Sequence, residues 1–133
     1  MLEETDDRVM ATSLDARWRL TDGVVEGSDW DATYASVKAL MCSTFATLQS
    51  KALQQTLFAM ATAALEAHPE IAEVRLAAPN KHHFRYDLDR FGVENHGEVF
   101  HADDRPYGLI HATVARSDAP DAGPAWDDYA GQA

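Results

Sequence analysis

Asn80 and His82 stand two residues apart in the run Ala78-Pro79-Asn80-Lys81-His82-His83-Phe84. In an extended backbone, side chains at that spacing leave the same face of a sheet. One is an uncharged hydrogen-bonding group and the other a proton carrier, a pairing suited to chemistry on a small polar molecule. Two further segments, Glu98-Val99-Phe100 and Asp104-Arg105-Pro106-Tyr107-Gly108-Leu109-Ile110, read with them as the wall of an active site.

The elements that must position these residues follow from periodicity. From about Val9 to Leu20, Met10, Leu14, Ala16, Trp18 and Leu20 alternate with Ser13, Asp15, Arg17 and Arg19, which predicts a half-buried strand. Ser28, with Asp31 three residues on, resembles a capping box. Trp30, Tyr34, Val37, Met41, Phe45 and Leu48 then recur at helical spacing, as core rather than cofactor pocket, and Cys42 within that helix is expected to be a partly buried, inert thiol. Ser50 is the expected cap of a second helix with a buried stripe of Leu53, Leu57, Met60 and Leu65, ended by Pro69. Alternation at Val74, Leu76 and Ala78, at Phe84, Tyr86 and Leu88, and at Ile110, Ala112 and Val114 predicts later strands. Two helices cover one face of an antiparallel sheet, so the face carrying Arg17 and Arg19 is expected to meet water or another subunit.

With 133 residues the chain is one domain by length and can bury roughly 68% of its unfolded surface. A net charge of −11 argues against nucleic acid or an anionic membrane as the main partner. The single cysteine excludes a disulfide framework and a thiolate metal cage and fits the cytoplasm. The first residues lack the pattern of a signal peptide, and no apolar run is long enough to span a bilayer. His83, His96, His101 and His111 match no zinc spacing. Asp103 and Asp104, followed by Arg105-Pro106, read as a solvated turn. Residues 117–133, with four Asp and no basic residue, read as an acidic, flexible tail in which Trp126 and Tyr129 have the means to dock.

Three separated signatures resemble the C-terminal half of urate oxidase (uricase), a family built from the T-fold, or tunnelling-fold, unit. They are Thr5-Asp6-Asp7-Arg8-Val9-Met10-Ala11-Thr12 leading to Ala16-Arg17-Trp18, then Gln54-Gln55-Thr56-Leu57, and finally Pro79 to Phe84 through Tyr107-Gly108-Leu109-Ile110. The resemblance implies an α+β T-fold domain over 1–116, an antiparallel sheet with two consecutive helices on one face, lacking the unit's first strand. It implies that Arg8 and Gln54 clasp the edges of urate; Gln54 also lies in the first turn of its helix, where free backbone N–H groups, including that of Leu53, can receive an anion's oxygen. Asn80 would contact both urate and the dioxygen position, and His82 would relay protons. The implied reaction oxidises urate with O2 to 5-hydroxyisourate and hydrogen peroxide without cofactor or metal, in a homotetramer-type assembly.

The family's catalytic lysine and threonine belong to an N-terminal T-fold unit and cannot be assigned here. Lys81 is no substitute, because its neighbour His82 holds the matching position and adjacent strand residues face opposite ways. The chain alone is therefore expected to turn over little urate. The competing expectations are a truncated paralogue that assembles or binds purine without turnover and, more remotely, a metal-dependent pterin-type T-fold enzyme.

Overall fold

The computed structural model describes residues 9–22, 27–103 and 107–129. It contains β1 (Asp15–Leu20), α1 (Trp30–Thr47), α2 (Leu53–Ala67), β2 (Ile71–Pro79), β3 (His83–Arg85), β4 (Phe100–Ala102) and β5 (Leu109–Ala115). The described residues fall into two compact units, one made of 15–22, 27–76 and 111–129, the other of 9–14, 77–103 and 107–110.

In the helical unit the sheet order is β1-β2-β5. Thr21, just past β1, donates its N–H to Glu70 O at the start of β2 (2.8 Å), and Arg116, just past β5, donates to Ala72 O (3.0 Å). Both outer strands therefore end where β2 begins, and all neighbours run antiparallel. Two consecutive helices and an antiparallel sheet give the α+β architecture that the alternation and helical spacing predict. β2 is the central strand, with Ile71, Ala72, Val74 and Leu76 buried. The stripe Leu53, Leu57, Met60 and Leu65 is buried, joined by Ala61 and Ala64, whose small side chains suit close packing of α2.

Several local expectations need correction. The helix stripe of α1 is narrower than its spacing suggests: Val37 and Met41 are buried, whereas Trp30 and Tyr34 are exposed. Tyr34 instead lies beside Trp18, ring centroids 6.2 Å apart. Cys42 is exposed, since it neighbours the buried Met41 but points off the narrow stripe. Asp29, not Ser28, caps α1 by accepting from Ala32 N at 2.9 Å. Ala52 occupies the cap position of α2 with no side-chain bond, while Ser50 Oγ donates to Ala52 O. The Gln55 carboxamide reaches back to accept from Lys51 N at 3.0 Å, which satisfies a main-chain donor just before the helix.

The face opposite the helices also differs from expectation at Arg19. Its guanidinium meets Glu73 Oε2 at 2.7 Å and the Pro120 carbonyl at 2.7 Å, so partners within the chain occupy it. Glu73, buried on β2, also accepts from Arg75 Nε (2.8 Å) and Trp126 Nε1 (3.4 Å). Arg75 lies over the Trp126 ring, 4.2 Å from its centroid. Within the acidic segment, Gly123–Tyr129 form a 3-10 helix that carries Trp126 to this face. One indole that satisfies its N–H on a buried carboxylate supplies an anchor that average polarity does not register.

In the second unit β3 and β4 form an antiparallel pair, Phe84 opposite His101. Asn95 closes the connection between them: its Nδ2 donates to Tyr86 O (2.9 Å) and Val99 O (2.7 Å), and its Oδ1 accepts from the backbone N–H groups of Gly97, Glu98 and Val99. A short 3-10 helix, Asp89–Phe91, ends at Gly92, whose φ of 66° is the left-handed value that favours glycine.

Candidate active site

The tripeptide Asn80-Lys81-His82 follows β2 and is tied to three other segments of its unit. Asn80 N–H donates to Gly108 O (2.8 Å), Lys81 N–H to Ala11 O (3.1 Å), and His82 O accepts from Asp103 N–H (3.1 Å). Pro79 biases the chain before it toward extended backbone, and the three bonds hold it there. The His82 and Phe84 rings lie 6.1 Å apart at 29°, as extended i, i+2 neighbours should. Among the described residues neither the Asn80 carboxamide nor the His82 imidazole has a hydrogen-bond partner, and both residues are half-buried. A donor, an acceptor and a proton carrier are thus available on a fixed backbone. Lys81 is spoken for, its Nζ donating to Ser13 Oγ at 2.5 Å.

Leu53 and Gln54 open α2 in the helical unit. The Leu53 side chain is 2% exposed and pins the first turn, while Gln54 is exposed. The first N–H groups of a helix have no intrahelical acceptor and lie at the positive end of its dipole, so this turn can receive an anionic oxygen. Arg8 lies outside the described residues. The structure therefore brings Asn80 and His82 together on one segment and Leu53 and Gln54 together on another. In the unit that holds Asn80 and His82, a cavity of about 550 Å³ runs along Phe84 to Asp89 with Glu94 and Asn95, and neither residue lines it.

A uricase family model matches residues 1–111. The chain belongs to the uricase family. It is similar to the uricase of Arthrobacter globiformis, at 50% identity over 130 residues that cover 98% of this chain and 42% of that protein. The uricase of Dictyostelium discoideum is 36% identical over 116 residues, covering 87% of this chain and 39% of its own length. The crystal structure of the Arthrobacter globiformis uricase superposes with a TM-score of 0.85 at 49% identity, covering 96% of this chain and 43% of that one. The chain thus spans about two fifths of the length of the uricases it matches.

Two contributions to the placement of Asn80 and His82 leave no mark in side-chain identity. Asp103 reads as a solvated turn, yet its main-chain N–H holds the His82 carbonyl. Gly108 contributes only a carbonyl, to Asn80. Main-chain contacts of this kind leave no residue-type signature beyond the Tyr107-Gly108 pair. His101 Nε2 lies 3.4 Å from Asp103 Oδ1, and both side chains are exposed. Among the described residues no group of three or more His, Cys, Asp or Glu side chains is arranged to hold a metal ion, and no helix is long and apolar enough to cross a membrane.

Proposed function

We propose that this chain supplies the purine-clasping part of a urate oxidase. The observation that carries this reading is the uricase match over residues 1–111, a span that contains Arg8, Leu53, Gln54, Asn80 and His82. The Arg8 guanidinium offers a rigid fork of donors to an anionic oxygen and ring nitrogen of urate, and the Gln54 carboxamide pairs with a carbonyl and N–H on the opposite edge. The Leu53 N–H, at the positive end of α2, adds a donor for the anion. The Asn80 carboxamide, unpartnered and anchored through its own backbone, holds dioxygen or peroxide over the ring.

The urate anion is electron-rich, and two electrons pass from it to O2. Water adds to the oxidised purine, giving 5-hydroxyisourate and hydrogen peroxide. His82 moves the protons that this requires, and no metal or organic cofactor enters. Urate, O2, further T-fold units in a homotetramer-type assembly and a cytoplasmic setting complete the reading.

A chimera tests it. This chain replaces the matching part of the Arthrobacter globiformis uricase, and loss of urate absorbance is followed together with peroxide release. Turnover is expected in the chimera. Asn80→Ala lowers it by about 10²–10³-fold, the usual loss when a charge-stabilising donor is removed. His82→Ala lowers it by about 10²–10⁴-fold, the range for a positioned proton carrier. Wild-type turnover in both variants would remove the assigned roles.

The coverage of only 42% of the Arthrobacter globiformis uricase favours a second reading for the isolated 133-residue polypeptide, namely purine binding without turnover. Calorimetric titration with 8-azaxanthine alongside an oxygen electrode separates the two. Binding without oxygen uptake supports the second reading, and uptake by the isolated chain refutes it.

A further inference from the structure

Three polar side chains of the helical unit, none of them used in the proposed urate chemistry, stand in a hydrogen-bonded row. Ser36, within α1, places Oγ 2.9 Å from His68 Nε2, and His68 Nδ1 lies 2.9 Å from Glu70 Oε1. The proton positions follow from chemistry. Burial raises the affinity of the Glu70 carboxyl for its proton, but a backbone hydrogen bond, the His68 contact and the Arg116 charge outweigh it and hold the group below the usual carboxylate range. An ionised carboxylate only accepts, so His68 Nδ1 carries a hydrogen and, in the neutral ring, Nε2 keeps a lone pair for the Ser36 hydroxyl. A base oriented by a third group and bonded to a hydroxyl is the arrangement that activates a serine.

The row is built into the fold rather than left to rotamer choice. His68 terminates α2, its N–H donating to Ala64 O (3.0 Å) and its carbonyl accepting from Arg116 Nη2 (3.1 Å). The Glu70 carbonyl is fixed by Thr21 N–H. The His68 side chain is 12% exposed, which restricts its motion and its competition with water.

We propose that Ser36 is an activated nucleophile that accepts an acyl group from small aryl esters. The Oγ–H proton passes to His68 Nε2 as Oγ bonds to the carbonyl carbon. The bond from that carbon to the aryl oxygen breaks, and the departing phenolate takes the proton back from His68. The products are acyl-Ser36 and a phenol; water, losing a proton to His68 Nε2, then bonds to the acyl carbon, the bond to Ser36 Oγ breaks as Oγ takes that proton, and a carboxylic acid leaves. N–H groups in the interior of α1 are engaged in the helix, so no main-chain pair is free to stabilise the acyl oxygen at Ser36. Reaction is therefore confined to esters whose leaving group is good on its own.

The test uses the 133-residue chain with p-nitrophenyl acetate, following nitrophenolate release and locating the acetyl group by peptide mass spectrometry. Acetylation of Ser36 is expected at a rate about 10²-fold above that of an unassisted serine, the lower end of what a positioned base contributes. Ser36→Ala abolishes the fast phase, and His68→Gln and Glu70→Gln each slow it at least about 10-fold. Circular dichroism melts establish which variants fold. Should His68→Gln unfold, Glu70→Gln decides, because its amide still reaches His68. Acetyl groups found only on lysines or the amino terminus, or an unchanged Ser36 rate in folded Glu70→Gln, overturn the proposal. Neither result touches urate oxidation, which is assayed separately.

Discussion

Replacing Glu73 by Gln removes the one negative charge at the centre of a buried cluster. Glu73 and Arg19 are 7% and 13% exposed and meet at 2.7 Å, while Arg75, at 44%, keeps its contact with water. The substitution therefore strands Arg19 far more than Arg75. Breaking a buried pair by removing one partner costs about 3–5 kcal/mol, because the remaining charge stays desolvated. Glutamine retains an acceptor oxygen for one of the guanidinium groups, which places the cost at the lower end, about 3 kcal/mol. For a chain of 133 residues each kcal/mol shifts Tm by about 4 °C, so Glu73→Gln is expected to melt about 12 °C lower.

The assay is a thermal melt by circular dichroism, with Glu66→Gln on the exposed face of α2 as the control for losing a carboxylate. A Glu73→Gln melt within about 3 °C of wild type, or no lower than that control, refutes the reasoning. A second variant separates charge from shape. Arg19→Met with Glu73→Leu fills the same space without ions and is expected to recover most of the loss, since apolar replacement of a buried pair is often neutral.

Arg116 joins the end of α2 to β2, donating from Nε to Ile71 O (2.8 Å) and from Nη2 to the carbonyls of Leu65 and His68. Arg116→Ala leaves these acceptors without their charged donor and is expected to cost about 3 kcal/mol in urea unfolding; a loss under about 1 kcal/mol would show that water replaces the guanidinium. Asn95→Ala removes all five bonds that organise the β3–β4 connection. Amide exchange at residues 97–99 is expected to rise toward unprotected rates while the melt of the helical unit is unchanged, and unaltered protection there would refute this role.

Acid should destabilise the chain through two carboxylates. At Glu73, burial favours the protonated form but is outweighed by hydrogen bonds from Arg19 and Arg75, the Arg75 charge and the Trp126 indole, and Glu70 is likewise held low. Their contribution is complete above the unfolded carboxylate value of about 4.3 and is lost as pH falls through the lower folded values. Stability flat across that window would contradict it.

Residue spacing made the α+β class legible, because burial on one face imposes a period of two on strands and near 3.6 on helices. The buried stripe of α2 and the buried β2 side chains Val74 and Leu76 could be read in this way. The same rule failed at Trp30 and Tyr34, since periodicity marks a face without fixing how much of it the neighbouring layer covers. The spacing of Asn80 and His82 was equally readable. What holds them was not: Ala11, Asp103 and Gly108 act through main-chain groups that every residue type shares.

The sequence by itself determined the family and the order of the first strand, the two helices and the central strand, because these follow from side-chain identity and local period. Only the tertiary structure decided that Arg19 faces Glu73 rather than solvent, that Trp126 anchors 123–129, and that Ser36, His68 and Glu70 form one row. Arg19 and Glu73 are 54 residues apart, and Ser36 and His68 are 32 apart. Contacts across such separations depend on how strands and helices pack, which no local pattern encodes.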